Sequence, residues 1–254
     1  TIVSPLKITA DAKLVFGNNP KLESMKGLDK VDVSGVTSMD QLFANDSALK
    51  SIDISNWDTS NVTNMTSAFA TGVSDHKSAL TELKLGNLNT SKVTSFSGML
   101  AGTSNLKAAP DVEKLDFSAV ANDDSLALAA MFANSGIEHL DFSKAKFPAE
   151  IDTLNFFAIM PNLKTVKLGQ NIKLKYVSQM FGGDAKTSVY TNKLESIDLT
   201  GADLSAVTVD DAKSMFAIST PNLKTFNVPY TDNIAKGLKE SGFVPQSVLD
   251  GYKK

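Results

Sequence analysis

The chain has 254 residues, 42% of them hydrophobic, and carries 28 acidic against 25 basic residues for a net charge of −3. It contains no cysteine and no arginine, which excludes disulfides and thiolate metal sites and removes the guanidinium forks on which nucleic-acid recognition relies. No apolar run approaches the ~18 residues of a membrane-spanning helix, so this segment is not expected to insert in a membrane.

Taken in chain order, residues 1–20 present Leu6/Ile8 and Leu14/Phe16, an N-terminal cap for a run of repeats. The opening TIVSPLKITADAKLVF lacks a signal-peptide pattern, which suggests a piece of something longer, attached through regions outside this chain. Residues 21–230 then repeat one apolar pattern. An apolar residue is followed after two variable positions by an apolar-x-apolar strand core. The copies are Leu22/Met25, Leu49/Ile52/Ile54, Leu80/Leu83/Leu85, Val112/Leu115/Phe117, Ile137/Leu140/Phe142, Leu163/Val166/Leu168, Leu194/Ile197/Leu199 and Leu223/Phe226/Val228. Met25 and Phe226 are 201 residues apart over seven intervals, or about 29 per copy, inside the range of strand-plus-helix solenoids.

The second half of each copy has a different spacing. Trp57 is followed by Val62, Met65 and Phe69, Leu88 by Val93, Phe96 and Leu100, and Leu204 by Val209, Ala212 and Phe216. Steps of three and four predict a short helix with these residues on its buried face. Ser38 and Gln41 read as a capping box, Asp124 and Ser125 as a helix start, and Gly182-Gly183 as a C-terminal glycine cap. Residues 231–254 form a C-terminal helical cap, with Ile234, Leu238 and Phe243 along one side and Val244-Pro245 as the stop. The fold class is therefore α/β, a solenoid of about eight strand-turn-short-helix copies forming one parallel sheet, continuous as a single domain.

Solenoids work through the surface they expose. In each strand the residues beside the first apolar position point away from the core. One such row reads Lys26, Asp53, Lys84, Asp116, Asp141, Lys167, Asp198, Asn227; the row before it includes Lys114 and His139. Alternating signs suit a register-keeping charge ladder. Asp116 beside Asp141, with Lys114 and His139, breaks the alternation and is the candidate polar contact site, with Asp53, Lys84 and Lys167 on the same face. Catalysis finds little support. His76 and His139 lie in different copies, no cysteine accompanies them, and Asp123-Asp124 and Asp210-Asp211 lack an EF-hand's spacing and suit helix caps better. No metal or other cofactor is expected.

The stretch LKSIDISNWDTSNVTNMTSAF, Leu49 to Phe69, resembles the BspA-type leucine-rich repeat surface proteins of bacteria, most specifically in Trp57 to Met65; LTELKLGNLNTSKVTSFSGML and LESMKGLDKVDVSGVTSMDQLF echo it. The resemblance implies a leucine-rich-repeat fold at the bacterial cell surface, used for adhesion to a host or matrix protein or a glycan. The expectation is a non-catalytic extracellular recognition module. A structural spacer and a glycan-acting enzyme, with Asp116 and Asp141 as its nearest paired carboxylates, are the alternatives.

Overall fold

A computed structural model describes all residues except 73–76, 122–123, 185, 187 and 254. Its strands are β1 Leu6–Asp11, β2 Val31–Ser38, β3 Ser51–Asp53, β4 Glu82–Lys84, β5 His139–Asp141, β6 Glu150–Asp152, β7 Thr165–Lys167, β8 Ile172–Tyr176, β9 Gly183–Asp184, β10 Val189–Tyr190, β11 Ser196–Asp198, β12 Ala202–Asp203 and β13 Thr225–Asn227. The helices are α1 Val209–Lys213, α2 Asp232–Ser241 and α3 Gln246–Gly251. Apart from the antiparallel β9–β10 hairpin, every strand pairing among the described residues is parallel. The molecule is a parallel β-solenoid of about seven turns with little helix.

The repeat is visible in one row of backbone bonds. Lys50 N–H donates to Glu23, Thr81 to Lys50, Glu138 to Lys107, Lys164 to Glu138, Glu195 to Lys164 and Lys224 to Glu195, at 2.7–3.4 Å. In strands this short the ladder alone holds little, and burial of the central residue holds the rest: Ile52, Leu83, Leu140, Val166 and Ile197 are each at most 6% exposed.

Among the described residues the predicted short helices are absent from all but one copy. A ladder of turns replaces them. Met39, Gln41, Phe43 and Asn45 donate to the carbonyls of Asn64, Thr66, Ala68 and Ala70; Phe96, Gly98, Leu100 and Gly102 donate to Ala127, Ala129, Met131 and Ala133. The intervening amides close local turns, as Leu42 does on Met39 and Ala44 on Gln41. Because every second N–H leaves for the next copy, the i−4 bonds of a helix cannot form. The turns need left-handed backbone at fixed places. Leu14, Gln41, Ser67, Gly98, Ala130, Asn155 and Gln179 share one such position, and Asn18, Asn45, Gly102, Asn134 and Ile159 another, all at φ between 51° and 75°. Asn and Gly are the residues that tolerate it best. Ser38 and Gln41 consequently form no capping box; Ser38 Oγ accepts the Asp40 N–H at 3.3 Å instead. Asp124 starts a turn, not a helix, with Oδ1 accepting the Leu126 N–H, and Gly182-Gly183 caps no helix, since Gly183 opens β9. α1 is the exception, and there the Thr208–Asp211 capping box is complete.

A second correction concerns the fourth copy. Leu106 N–H bonds the Thr103 carbonyl as Leu49 bonds Asp46, Leu163 bonds Met160 and Leu223 bonds Thr220. The fourth copy is therefore Leu106/Ala109, not Val112/Leu115/Phe117, and its next strand residue is Pro110. Proline fixes φ and offers no N–H, so the ladder cannot pass through it. The predicted single sheet is split there into β3–β4 and β13-β11-β7-β5, with β12-β8-β6 as a separate face. Side chains bridge the gap. Asp111 Oδ2 accepts the Leu85 and Gly86 N–H groups at 3.1 and 3.0 Å, and Glu113 Oε1 accepts the Asp141 N–H at 2.9 Å.

Inside, the turn ladder carries a stack of phenylalanines. Phe16, Phe43 and Phe69 stack at 5.3 and 6.0 Å; Phe132, Phe157, Phe181 and Phe216 stack at 6.3, 5.7 and 5.4 Å. Leu100 occupies the intervening place, and Phe96, Phe117, Phe142, Phe147 and Phe156 cluster beyond it. At the N-terminal end residues 12–18 already adopt the turn pattern, donating to Ser38, Asp40, Leu42 and Ala44. At the other end α2 packs on α1 and buries Ile234 and Leu238. Gly242, at φ 68°, ends α2 before Val244-Pro245 is reached, so Phe243 lies outside the helix.

Candidate functional site

The strand face offers the polar surface that the repeat pattern anticipates, arranged differently. β3 and β4 place Asp53 opposite Lys84, and β5 and β7 place His139 opposite Thr165 and Asp141 opposite Lys167. Lys114 and Asp116 do not join His139 and Asp141 on adjacent strands. They come after Pro110, and Asp116 bridges to Lys146 at a neighbouring corner. The Lys146 ammonium stands 3.3 Å from Asp116, whose own side chain is only 16% exposed, and Lys114 pairs with Asp111 at 3.2 Å. The candidate site is thus two patches: Asp53 with Lys84, and His139 with Asp141 and Lys167. Between them lies the Pro110 segment. His76 and Asp123 fall outside the described residues.

Each aspartate of this face has local work. Asp53, Asp116, Asp141 and Asp198 accept the N–H two residues later through Oδ1, from Ser55, Ser118, Ser143 and Thr200. These are turns closed by the aspartate itself, and the motif Asp-x-Ser/Thr marks the ends of β3, β5 and β11. The Ser55 hydroxyl holds the Asp53 carboxyl below its ordinary range. Burial pushes Asp116 and Asp141 upward, but Ser118 and Lys146, and Ser143 and Lys167, outweigh it and leave both lowered. Glu113 behaves oppositely. Burial is the largest influence on it and raises its carboxyl, against the bond from the Asp141 N–H. His139 Nδ1 lies 2.9 Å from Thr165 Oγ1.

Opposite charges face each other in the expected row at Asp53/Lys84, Asp141/Lys167 and Lys167/Asp198, and a second cross-copy charge ladder lies three residues earlier in each copy. It runs Glu23, Lys50, Thr81, Lys107, Glu138, Lys164, Glu195, Lys224, with ion pairs of 2.7 Å at Glu23–Lys50 and 2.6 Å at Glu138–Lys164. The signal was available in the residue after the first apolar position of each copy. The Glu23–Lys50 pair is exposed and contributes about 0–1 kcal/mol, and the Glu138–Lys164 pair is half-buried. Beside Asp53 a cavity of about 250 Å³ is lined by Asp29, Ser51 and Trp57, below the ~300–1,000 Å³ of ordinary small-molecule pockets. Trp57 itself is 7% exposed and donates from Nε1 to the Leu28 carbonyl at 2.8 Å, so it is core. Among the described residues no group of three or more His, Cys, Asp or Glu is placed to hold a metal, and no helix is long and apolar enough to cross a membrane.

A sequence profile matches residues 10–139, and its family is described as Mycoplasma protein of unknown function, DUF285. No curated protein and no solved structure matches the chain. The matched segment covers 130 of the 254 residues, just over half, and spans the turn ladder from its first copy to β5; the chain belongs to the DUF285 family.

Proposed function

We propose that this chain is a non-catalytic recognition module of a bacterial surface protein, an adhesin of the BspA-type leucine-rich-repeat kind. It would be displayed outside the cell, attached through regions outside the chain, and bind a host or matrix protein or a glycan. The observation that carries the reading is the strand face: a solenoid whose polar side chains are held in register by ladder bonds and Asp-x-Ser/Thr turns. Such a face meets a partner with little side-chain entropy left to lose. The family membership and the repeat architecture agree with it.

A glycan-acting enzyme would need a positioned acid and base. With both carboxyls lowered, Asp116 and Asp141 do not supply the acid, and Asp116 is tied to Lys146. Glu113 is raised but its oxygen is committed to the Asp141 backbone.

The test is an array of immobilised matrix proteins and glycans, probed with the parent chain and two double variants. His139→Ala with Lys167→Ala removes one patch, and Asp53→Ser with Lys84→Ala the other. Loss of binding by about tenfold or more in one variant, at unchanged thermal stability, supports recognition through that patch; a few exposed contacts dominate most interfaces. Absence of any ligand on the array returns the reading to a spacer, and turnover of an arrayed glycan would replace it with an enzyme.

A further inference from the structure

The last third of the solenoid departs from the repeat in three ways at one place. The β9–β10 hairpin is inserted, α1 takes the place of a turn, and α2 packs against α1. These elements enclose an open cleft of about 530 Å³, within the ordinary range for small-molecule sites. Its walls include Tyr190 from the hairpin, Gln179 from the turn ladder, Asp210 and Lys213 from α1, Glu240 at the end of α2 and Phe243 beyond it. We infer that this cleft is a saccharide-binding site sized for one or two sugar rings, separate from the strand face and independent of the reading given to it.

Two observations point to that chemistry. First, the aromatic wall is preset. Tyr190 pairs with Gly183 across the hairpin, and any side chain at Gly183 would collide with the Tyr190 ring. The ring is thus packed against the Gly183 backbone, in the cleft wall. Phe243 is anchored through its carbonyl, which accepts both the Thr220 N–H and hydroxyl. Flat rings held this way meet the C–H face of a sugar at little entropic cost. Second, the polar wall is uncommitted. The side chains of Gln179, Tyr190 and Asp210 have no hydrogen-bond partner among the described residues, and Lys213 reaches Glu240 only at 3.9 Å. An amide, a phenol and a carboxylate together offer both donors and acceptors, the mixture a ring of hydroxyls satisfies.

Other ligands fit less well. A phosphate or carboxylate ligand would face Asp210 and Glu240, with Lys213 in the lining and Lys236 4.0 Å from Glu240 leaving no net positive charge to hold it. A long apolar ligand would strand the polar wall. A lysine-rich peptide suits the carboxylates and rings, and is the competitor that the experiment must separate.

The experiment is ligand-observed NMR and then calorimetric titration on the whole chain with four probes: cellobiose, lactose, maltose and N,N′-diacetylchitobiose. A tetralysine peptide is the fifth. At least one disaccharide should bind with a Kd below about 10 mM. Tyr190→Ala should weaken it about tenfold or more, and Asp210→Ala, at an exposed position of α1 that leaves the capping box intact, by about fivefold. Asp53→Ser on the strand face should leave it unchanged. A native thermal transition in Asp210→Ala keeps the comparison valid should Tyr190→Ala fail to fold. No disaccharide binding, equal binding by Asp210→Ala and the parent, or binding of tetralysine alone would each overturn the inference. None of those results bears on the strand-face array.

Discussion

The strand face and the turn face of this solenoid are built from the same repeats, yet one is interrupted and the other is not. On the strand face the ladder stops at Pro110, and Asp111 and Glu113 reach across with side chains. On the turn face the ladder continues through the same copy, from Phe96, Gly98, Leu100 and Gly102 to Ala127, Ala129, Met131 and Ala133, and on from Ala130 and Asn134 to Asn155 and Ile159. The difference lies in how many residues carry each ladder. A three-residue strand has no spare amide when one position becomes proline, whereas the turn spreads its bonds over seven residues. The aromatic stack has its own gap in that region, at Leu100 between Phe69 and Phe132.

The comparison can be broken most forcefully from inside. Phe157→Ala removes a fully buried ring from the longer phenylalanine stack and should cost about 3–5 kcal/mol in chemical denaturation. A cost below about 1 kcal/mol would mean that the stack is not what supports the turn face.

Asp111→Ala probes the seam directly. It leaves the Leu85 and Gly86 N–H groups without their acceptor and should cost about 2–3 kcal/mol, since unpaired part-buried donors are expensive. If denaturation shows no change, water or a neighbouring group closes the gap, and the side-chain bridge is dispensable.

Asp46 sharpens the comparison at the N-terminal end of the turn face. It is fully buried, Oδ1 accepts the Asn19 N–H, and Oδ2 has no partner. Burial pushes its carboxyl up to about 6, from an ordinary value near 3.8. The folded chain then holds this proton more tightly than the unfolded chain, so the contribution of Asp46 to stability is greatest below about pH 4. It falls as pH rises to about 6 and is level above that. The loss should be up to about 3 kcal/mol, read as a falling urea midpoint across that window. Asp46→Asn should flatten the profile, and a wild-type midpoint that rises from pH 4 to 6 would contradict the assignment.

Asp198→Ala is the mild counterpart of Asp111→Ala. It opens one exposed Asp-x-Thr turn on an uninterrupted part of the sheet and should cost less than about 1 kcal/mol. Equal costs at Asp111 and Asp198 would erase the distinction between seam and regular strand.

The strands of the other copies were legible because an apolar residue between two polar ones is what a half-buried strand requires. In the fourth copy Leu-Asp-Phe at 115–117 imitated a strand core better than Leu106/Ala109 did, and Pro110, which bars an interior strand, was the discriminating residue. The turn ladder was read as helix because successive turns also return apolar residues every three to four positions. What separated the two was composition: Asn45, Asn134 and Asn155, with Gly98 and Gly102, recur where a helix would prefer Ala or Leu and a left-handed turn prefers Asn or Gly. Of the candidate site, Asp53, Lys84, His139, Asp141 and Lys167 took their expected strands, while Lys114 and Asp116 went with the misread copy. Glu113 escaped notice because its partner, the Asp141 N–H, comes from a neighbouring turn, and that depends on register rather than residue type.

The direction of the ladder bonds has a mechanical consequence. Because they run from turn to turn, a pull between the two ends of the chain loads them one row after another instead of all at once. Neighbouring turns then part in series, each releasing about 29 residues and roughly 100 Å of chain. An anchored protein of this design would answer tension by lengthening in steps, with the first step expected where Pro110 has already removed part of a row.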